Sequence, residues 1–167
     1  EKPMMSYRRR KSPRLQGYDY SQHGAYFVTV CVQYRQWLFG EIIDEHMRLS
    51  PAGQMIDRCW ERIQKRFASV ELDCSVVMPN HIHGIVVLQN DLKVSLPEVM
   101  HWFKTITTIE YTQGVSGNGW PPFEGKLWQR SYHDHIIRDE ADLRRIQEYV
   151  LYNPRRWQDD RLREVER

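Results

Sequence analysis

No apolar run in this chain approaches the ~20 residues that cross a bilayer. No apolar h-region follows its basic start, so neither a membrane span nor a secretory signal is expected. Cysteine is scarce: Cys31, Cys59 and Cys74 are odd in number and lack C-x-x-C spacing. That excludes a disulfide framework and a cysteine-built zinc site, and points to reduced thiols in a cytoplasmic location. Charge of one sign is lacking too. The 24 Lys and Arg against 22 Asp and Glu leave +2, so global charge names no partner. There is no internal repeat and no H-E-x-x-H pair.

What is present fits one ordinary globular domain. The 167 residues are 41% apolar and 28% charged, enough for one real core. The stretch YRRRKSPR puts Arg8, Arg9, Arg10, Lys11 and Arg14 into eight residues. Such a run is a solvated tail or a phosphate-binding arm. We divide the chain into a basic arm (1–24), a catalytic-type domain (25–157) and a C-terminal tail (158–167).

Periodicity then places the elements. AYFVTVCVQ (25–33) is β-branched and aromatic and predicts a strand, with a second around Trp37 to Ile43. Ser50-Pro51 opens a helix, and Met55, Ile56, Cys59, Ile63 and Phe67 carry it to 67. Residues 71–78 and 81–88 predict two strands joined at Pro79-Asn80. Ser95 with Glu98 forms a capping box for a helix through Val99, Phe103 and Ile106. GVSGNGWPPFEGK (114–126) predicts a loop, and HDHII (133–137) a short strand. Asp139 caps a last helix that Pro154 ends. This order predicts an α+β fold: an antiparallel sheet with helices packed mainly on one face, of the split βαβ kind.

The stretch VVMPNHIHGIVVL (76–88) carries the first chemical signal. A strand sends alternate side chains to opposite faces, so His81 and His83 point one way and Ile82 the other. Two imidazoles make half a divalent-metal site. The bland alternative is a solvated strand face, since H-x-H alone carries little information. On the last helix Leu143, Ile146 and Val150 form the buried stripe. Tyr149 and Asn153, four apart, share a face at its rim. Alone, these two read as a packing residue and a helix cap.

Together the stretches resemble a family. YFVTVCV, PNHIH, WFKTITT, WQRSYHDHIIR and EYVLYNP follow one another as in the HUH single-tyrosine transposases, and within them the REP-associated tyrosine transposases. The resemblance implies a ferredoxin-like HUH fold and Ile82 as the bulky residue between the histidines. It also implies Tyr149 as nucleophile, and His81, His83 and Asn153 as metal ligands.

The implied activity is cleavage and rejoining of single-stranded, hairpin-forming palindromic DNA through a 5′-phosphotyrosine. The implied cofactor is Mg²⁺, with Mn²⁺ a substitute that suits imidazole. The implied assembly is a monomer or homodimer. Cations for phosphates and flat side chains for bases are offered by the arm with Tyr7 and Tyr18, and by Trp128, Arg130, Lys104 and Arg138. Two other functions fit the same residues: a metal phosphodiesterase that uses water, and a DNA-binding regulator without turnover. Tyr152 is a rival nucleophile, turned ~60° further from the apolar stripe.

Overall fold

The computed structural model describes residues 24–89 and 94–166. The basic arm, with Arg8, Arg9, Arg10, Lys11 and Arg14, lies outside the described residues.

Strand β1 (Gly24–Cys31) occupies the middle of the sheet. It pairs antiparallel with β5 (His81–Leu88) on one side and β6 (His133–Ile137) on the other. Strand β4 (Val70–Met78) pairs with β5, giving the order β4-β5-β1-β6. With the helices between them these strands have the split βαβ arrangement. Alternation divides each strand between two faces. Tyr26, Val28, Val30, Ile82, Val86 and Leu88 join the main core with α1 (Pro51–Arg66) and α2 (Leu96–Asn118). Ile85, Phe27, Val76 and Ile137 face the other way, and pack under Ile146 and Val150 of α3 (Glu140–Tyr152). Two helices thus share one face and the third covers the other.

The caps follow the sequence. The Ser50 hydroxyl accepts from the Gly53 N–H at 3.1 Å, with Pro51 at the first helical position. Ser95 and Glu98 close a reciprocal capping box. Asp139 accepts from the Asp142 N–H at 2.8 Å and opens α3.

Two expectations change. The predicted loop at 114–126 begins later, because α2 runs on to Asn118 and is capped by Gly119 in the left-handed region. Gly114 is no breaker here. The Trp120 ring lies where its Cβ would be, so the glycine serves packing. The strand around Trp37 to Ile43 is shorter, β2 (Gly40–Ile43), and hairpins with an unforeseen β3 (His46–Leu49). Its turn residues Asp44 and Glu45 both have positive φ, 49° and 63°. A two-residue hairpin needs that conformation but usually takes it with Asn or Gly, so the turn was not legible. The three thiols are unpaired, and burial pushes each up to about 11.

Candidate active site

β5 sends His81 and His83 to the face that α3 covers. Sequence alternation puts them outside the main core, yet they are 0% and 2% exposed. They are not on a solvated strand face. Past α3 the chain makes a 3₁₀ turn, Asn153–Asp159, which lays the buried Trp157 ring 6.1 Å from that of His81. Phe27 stacks on His83 at 5.2 Å.

The two Nε2 atoms face each other at 3.0 Å. On its other side His81 Nδ1 lies 2.7 Å from Asn80 Oδ1. The orientation of that amide is set independently. Asn80 Nδ2 donates to the carbonyls of Arg35 at 3.1 Å and Leu162 at 2.6 Å. Its Oδ1 therefore accepts, the His81 proton sits on Nδ1, and His81 Nε2 offers a lone pair. His83 Nδ1 lies 2.6 Å from the Thr29 hydroxyl, which can give or take a hydrogen bond. With Thr29 donating, His83 Nε2–H bonds to His81 and the chain is complete. With Thr29 accepting, both Nε2 lone pairs are free for a cation. Partners of this kind orient imidazole ligands and set their tautomer.

The charged forms are disfavoured. Burial, then the neighbouring His83 and Arg35, hold His81 well below the usual histidine range. Burial pushes His83 down to about 3. Both rings are neutral at ordinary pH, the form that binds metal.

Asn153 is 2% exposed. It lies near enough to His81 to favour that ring's protonated form, yet its Oδ1 finds no hydrogen-bond donor. An orphaned buried amide oxygen is costly, and it fits a cation beside two imidazole nitrogens. Among the described residues no three His, Cys, Asp or Glu side chains cluster to hold a metal. Asn153 Oδ1 is a buried oxygen beside the pair that could serve as a further donor.

Tyr149 is half-buried. Its ring lies 5.3 Å from His83 and 5.9 Å edge-on from Phe27. Burial raises its phenol above the usual value, as does Asp160, while Asn153, Arg161 and Arg156 oppose this. The phenol is protonated at rest. Tyr152 is 44% exposed with Arg155 5.2 Å from its ring, away from the histidines. Tyr149, His83 and Asn153 open on a cleft of about 990 Å³, also lined by Arg35, His133 and Arg145.

Comparison with known proteins shows the family. Residues 20–153 match the family model described as IS200-like transposase. The chain belongs to the IS200-like transposase family. It is 36% identical over 166 residues to an uncharacterized protein of Haemophilus influenzae, covering 92% of each chain. It is 30% identical over 82 residues to a candidate REP-associated tyrosine transposase of that organism, covering 47% of this chain and 46% of the relative. Its fold superposes on a REP-associated tyrosine transposase bound to a REP hairpin, with a TM-score of 0.54 and 22% identity. That match covers 86% of this chain and 73% of the other.

The other predicted contacts are scattered. Trp128 is a correction: it is 3% exposed and donates through Nε1 to Thr107 at 2.9 Å. A ring walled into the core has no face to offer a base. Lys104 spends its ammonium on the carbonyls of Gln129 at 2.7 Å and Arg130 at 3.0 Å. Arg130 itself is exposed. No described helix is long and apolar enough to cross a membrane. Sequence reasoning passed over Thr29 and Asn80, although a lone threonine in YFVTVCV was a signal. It also left unused a second H-x-H, His133 and His135.

Proposed function

We propose that this transposase-family protein cleaves and rejoins single-stranded DNA at hairpin-forming repeats, through a covalent link between Tyr149 and a 5′-phosphate. One observation carries this reading: the Tyr149 ring meets His83 across the mouth of a buried His81–His83 pair beside the orphaned Asn153 oxygen. The DNA class is taken from the REP hairpin held by the structural neighbour.

His81, His83 and Asn153 would hold a divalent cation, Mg²⁺ or Mn²⁺. When bound, it would polarise the scissile phosphate and offset its developing charge. The chain's own groups do the rest. Asn80 keeps the His81 proton on Nδ1, and Thr29, by accepting from His83 Nδ1, would leave the His83 Nε2 lone pair to the cation. Phe27, Trp157 and α3 exclude water from the ligand pair. α3 holds the Tyr149 oxygen at the cleft, where burial keeps its proton until reaction. The phenol oxygen bonds to phosphorus, its proton is released, and the 3′-oxygen leaves with the bond pair and takes up a proton. The reverse step restores the phosphodiester with no external energy source. Burial raises the Tyr149 phenol, so it stays protonated and weakly nucleophilic until its proton is removed.

The test is incubation of labelled single-stranded hairpins, taken from DNA flanking the gene, with protein and Mg²⁺ or Mn²⁺. A metal-dependent adduct that survives a denaturing gel is the expected result. Cleavage with no adduct would give the reaction to water, and binding without cleavage would make the protein a regulator.

A further inference from the structure

The cleft holds a second H-x-H that the proposed reaction does not use. His133 of β6 sits across from Thr29, which in turn sits across from His83. The three side chains form one row over three strands, each step ~4.8 Å. His135 begins the next row, beside Phe27 and Ile85. Both histidines line the same cleft as Tyr149.

The helix above runs in step with the sheet. Arg145, Tyr149 and Asn153 are spaced four apart, so they form one ridge, and all three line the cleft. Each step along that ridge is ~6 Å, at ~1.5 Å per residue. Asn153 belongs with His81, and Tyr149 with His83. Arg145 is the next step, and lines the cleft with His135.

Asp142 ties these parts together. Its Oδ2 pairs with His135 Nε2 at 2.8 Å and accepts the Arg138 N–H at 3.3 Å. Its Oδ1 takes one Nη2 of Arg145 at 2.5 Å. A guanidinium has five donors, so the rest of the fork stays available, and the side chain is 68% exposed.

We propose that Arg145, backed by His133 and His135, forms a subsite for the DNA phosphodiester next to the scissile one. The step from Tyr149 to Arg145 is one that an extended nucleotide bridges. The site is not a general anion trap. Asp134 also reaches the cleft, and with Asp142 it offsets the local positive charge. The subsite therefore suits a phosphate delivered by a strand already held at Tyr149. This proposal rests on the single-stranded DNA reading above.

The experiment uses full-length protein carrying Tyr149→Phe, so that binding is read without cleavage. The probes are single-stranded hairpins from DNA flanking the gene. Each carries one neutral methylphosphonate, placed in turn at the linkages on either side of the cleavage point mapped with the unmutated protein. Affinity is read by fluorescence anisotropy over a salt series. One flanking methylphosphonate should weaken binding. Adding Arg145→Gln should weaken binding to unmodified DNA and reduce the salt slope by ~0.7, the value for one single-strand phosphate contact. It should also remove the penalty of that methylphosphonate. Arg144→Gln, an exposed neighbour paired with Glu140, should change neither.

The subsite is refuted if Arg145→Gln behaves like Arg144→Gln, or if the methylphosphonate penalty is equal with and without Arg145. Those results beside a normal adduct at Tyr149 sink the subsite alone. Absence of both adduct and hairpin binding in the unmutated protein sinks the functional reading, and the subsite with it.

Discussion

Lowering the pH should destabilise the metal-free protein well before its carboxylates protonate. The cause is the buried histidine pair. Burial holds His83 down to about 3 from 6.5, and His81 is displaced in the same direction. The unfolded chain takes up these protons below about pH 6.5, while the folded protein refuses them. The stability is therefore complete above that pH and is lost as pH falls toward the folded value. One pKa unit is worth about 1.4 kcal/mol, so the His83 shift corresponds to about 5 kcal/mol over its whole window. Between about pH 7 and pH 5 it amounts to about 2 kcal/mol. For a chain of this size that is a fall of about 4–8 °C in melting temperature. His81 adds to it.

The assay is urea denaturation in chelator at a series of pH values across that range, where Asp and Glu contribute little. His83→Gln keeps a polar partner for Thr29 but does not titrate, and should remove the His83 share of the pH slope. A flat stability between pH 7 and pH 5 would refute the reasoning. So would an unchanged slope in His83→Gln.

Four further outcomes are expected. Tyr149→Phe should abolish the DNA adduct and retain hairpin binding, while Tyr152→Phe keeps the adduct; peptide mapping by mass spectrometry tells which tyrosine is linked. Asn153→Ala should weaken Mn²⁺ binding in calorimetry without loss of fold, because its Oδ1 has no partner to orphan; equal Mn²⁺ affinity would remove it from the ligand set. Gly84→Ala should cost about 1–3 kcal/mol by overpacking, since Trp60 stands where the Cβ would go, and a chemical denaturation curve checks it. Deleting residues 1–14 should flatten the salt dependence of hairpin binding, and an unchanged slope would make the arm a tail.

The alternation of β5, the caps at Ser50, Ser95 and Asp139, and the four-residue spacing of Tyr149 and Asn153 were all legible locally. They depend on neighbours within one strand or one turn, and the physics at that range is periodicity and capping. Periodicity says that His81 and His83 share a face, but not what covers it. That depended on α3 and Trp157, whose contact with β5 spans more than sixty residues of chain. Only that packing turned an open strand face into a pair of neutral, buried imidazoles. The same long-range closure gave Trp128 to the core and Lys104 to two loop carbonyls, where composition had offered both to DNA. It also brought Thr29, Asn80 and the β6 histidines to the site. Their roles come from cross-strand register and from one amide anchored to Leu162, and no spacing along the sequence encodes either.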